Sequence, residues 1–314
     1  MNVVVVGGSG FLGGAVVREL VARGDDVVNV DVAEPKRWAG SVRDIDAPTV
    51  VADVTDRESL QAAFGGADEV YHFAGVLGTS ELERDVRRAV EVNILGSLNV
   101  FDAALTAGAG TVFLACKPNV WLNAYSITKD AAEQFARIYE RDHDVQIRCL
   151  RYFNAYGPRQ SLVPVRKLVP TFAAFALRGL PLPVFGDGEQ TVDLLFVDDL
   201  ARMTVDFVRT EHAKEETLDC GSGEAVTVNE VAALVNAILD NRAGIEWHPM
   251  RQGEALRTDL VANVGPLESV LGRLDLTEME GALAATLEWY GRRDPEELDA
   301  AVARYCPADL AAAR

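Results

Sequence analysis

Tyr125 and Lys129 stand four residues apart in Tyr-Ser-Ile-Thr-Lys, a spacing that puts both on one face of a helix. An ammonium beside a phenol favours the phenolate and draws its pKa from about 10 toward neutrality. A tyrosine poised in this way takes the proton of a sugar hydroxyl as hydride leaves the same carbon. By itself the pattern fits a solvated helix face better. Its meaning comes from what precedes it.

Asn2-Val-Val-Val-Val6 is a short β-branched apolar run, the pattern of a strand buried on both faces of a parallel sheet. Gly7-Gly-Ser-Gly10-Phe-Leu-Gly13-Gly14 follows it, and a helical pattern then runs on to Arg23. Strand, glycine turn and helix in that order are what a dinucleotide fingerprint needs, a plain strand-to-helix turn being the alternative. Gly7 permits the turn, Gly10 admits a pyrophosphate close to the backbone, and Gly13 lets the helix pack on the strand. The next strand-like run ends in Asp31, placed to bind a ribose diol and to repel a 2′-phosphate. NAD is therefore favoured over NADP, a preference tempered by the nearby Lys36 and Arg37.

The elements that must hold these residues follow from alternation. Strand-like runs at 2–6, 27–30, 69–73, 110–115 and 146–151, with a further one around 49–52, alternate with helical patterns at 11–23, 56–64, 84–106 and 123–142. That rhythm predicts an α/β fold with a doubly wound parallel sheet (Rossmann). After Pro158 the prolines at 164, 170, 181 and 183 break the chain into shorter pieces. A smaller mixed α/β substrate-binding part is placed mainly at 161–190 and 221–314. C-terminal helices at about 278–291 and 294–305 read as amphipathic cover for a core.

Composition sets limits. No apolar run reaches the roughly 18 residues of a membrane span, and the N-terminus lacks the basic region and cleavage site of a signal peptide. Cys116, Cys149, Cys220 and Cys306 have neither metal-ligand spacing nor disulfide density, which fits a reducing cytoplasm and no metal. The net charge of −18 argues against nucleic acid and anionic membranes as partners.

Together these residues resemble the extended short-chain dehydrogenase/reductase superfamily, in its NAD-dependent nucleotide-sugar epimerase/dehydratase branch. Beyond the glycine turn and the Tyr/Lys pair, the resemblance takes in Asp53-Val54, His72-Phe-Ala-Gly75, Asn93, Leu150 to Gln160, Val184 to Gln190 and Val197-Asp-Asp199. It implies NAD held by Gly7, Gly10, Phe11, Leu12, Gly13, Asp31, Asp53, Val54, Phe73, Ala74, Gly75, Asn93, Tyr125 and Lys129. It implies a nucleotide-sugar substrate, assigned to Thr79, Asn154, Phe185 and Arg251, and a homodimer formed through the helices at 84–106 and 123–142. It also returns the stretch at about 191–220 to the cofactor domain formed by 1–160.

Two departures bear on the chemistry. The family's segment before the catalytic helix is rich in Ser and Thr, and one hydroxyl bonds the substrate oxygen. Here it reads Phe113-Leu-Ala-Cys-Lys117-Pro-Asn-Val-Trp121, with Lys117 at the hydroxyl position and only Leu122-Asn123-Ala124 before the tyrosine. Lys117 replaces the hydroxyl as a donor, acts as an acid/base of its own, or is a solvated lysine of a degenerate site. Cys116 reads as a small hydrophobe more readily than as a nucleophile. The family's diphosphate arginine is also missing, Val192 standing before Asp193, with Arg159 and Arg257 as possible substitutes.

Members that eliminate water carry Asp-Glu after the hydroxyl residue, where this chain has Pro118 and Asn119. That disfavours a 4,6-dehydratase. The expected activity is NAD-dependent 4-epimerisation by Tyr125 and Lys129 with Lys117. A sugar dehydrogenase, a 3,5-epimerase, a decarboxylase and a non-catalytic NAD-binding protein are the alternatives.

Overall fold

Val3 to Val6 are all buried, and each such side chain gains about 1.5–3 kcal/mol from leaving water. They form the central strand around which the rest is wound. The computed structural model describes residues 1–32, 47–78, 82, 84–118, 122–211, 216–250 and 259–306. Its first half runs β1 (Asn2–Val6), α1 (Phe11–Ala22), β2 (Asp26–Asp31), β3 (Thr49–Val51), α2 (Arg57–Ala63) and β4 (Glu69–His72). A long helical stretch follows as α3 (Val86–Ala89), a π-helical segment (Val90–Leu95) and α4 (Gly96–Ala107). Then come β5 (Thr111–Cys116), α5 (Ala124–Asp142), β6 (Gln146–Tyr152) and β7 (Asn154–Tyr156).

The second half comprises α6 (Leu168–Leu177), β8 (Leu182–Phe185), β9 (Thr191–Val192), β10 (Leu194–Phe196), α7 (Val197–Arg209), β11 (Leu218–Cys220) and β12 (Val226–Thr227). It closes with α8 (Val228–Ile238), β13 (Ile245–His248), β14 (Asp259–Leu260), α9 (Gly265–Leu271), α10 (Met279–Gly291) and α11 (Pro295–Tyr305).

Among the described residues the main sheet has seven strands in the order β3-β2-β1-β4-β5-β6-β11, and every pair is parallel. The order reverses between β1 and β4, the switch point outside whose carboxyl ends open α/β sheets bind ligands. The Val side chains of β1 alternate, so Val3 and Val5 join the core under α1 and α7 while Val4 and Val6 join that under α2, α4 and α5. A third core gathers α6, α8, α10 and α11 around β8. The expected doubly wound sheet and smaller second part are both present. The helix expected over 84–106 departs from plain α geometry over Val90–Leu95.

The segment at 191–197 serves both halves. β10 pairs with β7, β9 pairs with β12 and β14, and α7 packs on α1. Between β9 and β10 lies Asp193, fully buried. Its carboxylate accepts hydrogen bonds from Ser222 N (2.6 Å), Ser222 Oγ (2.8 Å), Gly223 N (3.0 Å) and Ala262 N (3.0 Å). Asp193→Ala leaves the buried Ala262 N–H and the part-buried N–H groups of Ser222 and Gly223 without an acceptor, a buried one alone costing about 1–3 kcal/mol. The variant is expected to lose about 3 kcal/mol or more in urea unfolding, and a loss below 1 kcal/mol contradicts this account.

Candidate active site

The glycine turn is built by contact between backbones. Gly7 has φ +85°, and a Cβ there would lie 2.5 Å from Ala74 N. A Cβ on Gly13 would lie 2.3 Å from the Gly7 carbonyl oxygen. Gly10, by contrast, would meet only that oxygen, at 3.2 Å, so its outer side is open. Gly10 is also the N-cap of α1, and no side chain caps the helix. The backbone N–H groups of Phe11 and Leu12 therefore start a helix whose positive end faces outward. Asp31 closes the turn from β2, accepting from Ser9 N at 3.0 Å and Val32 N at 2.8 Å. Burial holds its carboxyl above the usual range, against these two bonds.

Beside the turn, Phe73 N and Ala74 N both donate to Val6 O, at 2.8 and 2.9 Å. Gly75 and Val76 follow, and Asn93 reaches them from the π segment. Its Oδ1 accepts from Val76 N (2.8 Å), and its Nδ2 donates to Val76 O and to Thr128 Oγ1, both at 3.0 Å. With both amide protons engaged inside the chain, Asn93 acts by tying this loop to α5. Asp53 is likewise turned to its own loop, accepting from Thr55 N and Thr55 Oγ1, while Val54 is buried.

Tyr125 and Lys129 occupy the first turns of α5. Asn123 caps that helix, its Oδ1 accepting from Ser126 N at 2.8 Å. Tyr125 is half-buried and Lys129 is 9% exposed. The expected fall of the phenol pKa toward neutrality is not what the structure gives. Burial, with a smaller contribution from Cys116, pushes Tyr125 up to about 12. Burial also lowers the Lys129 ammonium below its ordinary value. Desolvation is the leading cause for both groups. His72, buried below Lys129, is kept neutral down to about 3 by burial and then by the lysine's charge. Because Ser97 Oγ donates to Asn93 O at 2.7 Å, the His72 Nε2–Ser97 contact at 3.0 Å has the imidazole N–H as donor.

Strand β5 ends at Cys116 as expected, and Lys117 turns inward. Its Nζ lies 5.5 Å from the centroid of the Tyr125 ring and donates to Pro118 O at 2.6 Å and Ser126 Oγ at 2.8 Å. Burial, then the charge of Lys129, lowers its pKa to about 8. Cys116 is buried and its thiol is pushed well above the usual range by desolvation, which removes it as a nucleophile at neutral pH. Ser126 carries no signal in the sequence beyond its place beside the tyrosine. Glu133 was missed too; buried one turn after Lys129, it is paired with Arg151 of β6.

Of the substrate candidates, Asn154 on β7 has a buried Nδ2 with no hydrogen-bond partner. Phe185 ends β8, its ring 5.6 Å from that of His248, with the Arg166 guanidinium 4.7 Å above it. Thr79, Arg251 and Arg257, like Lys36 and Arg37, lie outside the described residues.

An uncapped helix over a glycine turn at the switch point, with a Tyr/Lys pair on α5, defines a dinucleotide-dependent enzyme of the short-chain type. The profile of the NAD dependent epimerase/dehydratase family matches residues 3–221, and the chain belongs to that family. A dTDP-glucose 4,6-dehydratase of Neisseria gonorrhoeae is 30% identical over a 336-residue alignment covering 92% of this chain and 95% of the relative. UDP-glucuronic acid decarboxylase 4 of Arabidopsis thaliana is 30% identical over 269 residues, 79% of this chain. The chain spans about three fifths of the length of the plant decarboxylases it matches.

Among solved structures, the UDP-glucose 4-epimerase of Thermotoga maritima with UDP-glucose superposes with a TM-score of 0.85 at 25% identity, covering 92% of this chain and 98% of the other. The Thermus thermophilus UDP-glucose 4-epimerase in complex with NAD gives 0.82 at 25% identity, covering 94% and 100%. NAD is the cofactor of this family, and the open side of Gly10, the uncapped α1 and the Asp31 carboxylate fit its diphosphate and ribose.

Lys129 supplies a stability test. Its charge is disfavoured by burial, and Glu133 keeps Arg151 as a partner if the lysine is removed. Lys129→Met is therefore expected to unfold at higher urea, by roughly 1 kcal/mol, as happens when function keeps a buried ion in place. The penalty falls on the charged form in the folded state, so the gain is present at neutral pH and fades as pH rises into the ordinary lysine range. A less stable variant contradicts the assignment.

Proposed function

We propose that the chain is an NAD-dependent nucleotide-sugar 4-epimerase in which Tyr125, Lys129 and Lys117 serve the reacting carbon. The observation that carries this reading is the corner itself, where the Lys117 Nζ lies over the Tyr125 ring and feels the charge of Lys129. Pro118 and Asn119 stand where a dehydratase carries an acid and a base. NAD supplies an acceptor that takes hydride from the sugar and gives it back. Gly7, Gly10, Phe11, Leu12 and Gly13 hold its diphosphate, Asp31 its adenosine ribose, and Lys129 its nicotinamide ribose. Phe73 to Gly75 shape the floor of the site, with Asp53 and Val54 at its adenine end.

Tyr125 moves the proton of the C4 hydroxyl, Lys129 favours the phenolate, and Lys117 donates to the same oxygen. Asn154, with its unpaired Nδ2, turns to the sugar diphosphate, and Phe185 and Arg251, within 161–190 and 221–314, complete the substrate side together with Thr79. Three buried thiols among four free cysteines suit work in a reducing cytoplasm.

The test is incubation with NAD and a panel of UDP- and dTDP-sugars, including UDP-glucuronate, in deuterated water, followed by NMR. Inversion at C4 without solvent label is expected. Loss of water, loss of carbon dioxide or label at C3 or C5 each rejects the epimerase. Tyr125→Phe is expected to lower kcat by 10²-fold or more (roughly the size of an acid/base contribution) and to leave NAD affinity nearly unchanged.

The reading includes a homodimer. Val86, Val90 and Leu95 on one long helix and Ile127, Phe135 and Ile138 on α5 are each 37–53% exposed, a larger apolar display than a solvated pair of helices needs. Phe135→Glu with Ile138→Glu is expected to halve the mass measured by light scattering. A parent protein that is already monomeric rejects the dimer.

A further inference from the structure

Lys117 is positioned from two elements. Pro118 O restrains it from its own loop and Ser126 Oγ from α5, at 2.6 and 2.8 Å. Ser126 is 2% exposed, and its own N–H is bonded to the Asn123 cap at 2.8 Å. The hydroxyl is therefore fixed by the start of the helix that also carries Tyr125 and Lys129. No serine or threonine lies between Thr111 and Ser126, so the one hydroxyl that reaches Lys117 from α5 comes from the residue next to the tyrosine.

The choice of lysine here is itself informative. The chain has five lysines against twenty-five arginines, yet two of the five flank Tyr125. An arginine in place of Lys117 would supply a fixed planar charge, whereas lysine supplies a compact ammonium that a single hydroxyl can steer. Other titratable groups around the corner are Tyr125, Lys129 and Glu133 from α5, Cys116 from β5, Cys149 and Arg151 from β6 and His72 from β4.

We propose that Ser126 is a positioning residue of the reaction, holding the Lys117 ammonium over the Tyr125 ring. The single hydroxyl side chain missing from the 113–121 segment is thereby replaced by a two-residue unit, with Ser126 placing the donor and Lys117 donating. This rests on the reading of Lys117 as the substrate-oxygen donor.

The test uses the full chain with [13C]lysine, whose five signals are few enough for Lys117→Met to identify the one concerned. The Lys117 signal is expected to titrate near 8 in the parent. Loss of an acceptor from the charged form lowers that midpoint, so Ser126→Ala is expected to shift it down by about half a unit or more. Ser126→Thr, which keeps the hydroxyl, is expected to leave it in place. With the nucleotide sugar turned over by the parent, Ser126→Ala is expected to lower kcat about tenfold with little change in KM, and to have no further effect in a Lys117→Met background.

Full turnover by Lys117→Met overturns the donor reading, and this proposal with it. Loss of turnover in Lys117→Met with neither kcat nor the titration altered in Ser126→Ala overturns the proposal alone. A shifted titration with unchanged kcat makes the contact structural only, which also overturns it. The lysine signals report on folded protein, so the outcome stays readable where turnover is lost.

Discussion

The site depends on one close approach, that of three backbones at the switch point of the sheet. Gly13 of α1 rests on the Gly7 carbonyl, and Gly7 rests on the backbone of Ala74. No side chain fits between these surfaces, so the start of α1 and the loop after β4 are fixed relative to each other. The constraint continues outward through hydrogen bonds. Val76 is clasped on both its N–H and its carbonyl by Asn93, and the same amide reaches Thr128 on α5. Thr128 precedes Lys129. The turn that suits a dinucleotide and the helix that carries the Tyr/Lys pair thus belong to one continuous rigid path.

Along that path the chemistry is governed by desolvation more than by pairing. Tyr125 is raised and both nearby lysines are lowered for the same reason, that charge is disfavoured in this corner. Glu133 relieves it only in part, through its charge, because its carboxylate is engaged with Arg151. A corner of this kind makes the charge on its titratable groups sensitive to a small added field. The fold tolerates the cost because β5, β6 and α5 are packed on a large apolar core at that point.

Much of this was legible in the sequence, for physical reasons that also explain the remainder. β1, β2, β4, β5 and β6 fall within a residue or two of their expected places because short, largely buried runs bounded by glycine or polar residues have few other uses. The short strands β7 to β10 and β12 to β14 carry two to four residues each, too few to show a period. The π segment is invisible because Val90 to Leu95 has the composition of any half-buried helix, and what distinguishes it is tertiary. Lys117 could be placed in the corner by alignment, but its hold on Ser126 depends on the angle at which α5 leaves its Asn123 cap. The direction of the Tyr125 shift was read wrongly because spacing along a helix reports proximity and says nothing of solvent access.

The π segment also limits how this protein can be altered. Each residue added to or removed from an α-helix turns everything beyond it by about 100°, and a π turn holds one residue more than a regular one. Making Val90–Leu95 regular by deleting a residue would improve the helix by every local measure while swinging Asn93 away from Val76 or α4 away from its neighbours. Consensus-style idealisation, which strengthens most helices, would here uncouple the glycine turn from the helix that carries Tyr125 and Lys129.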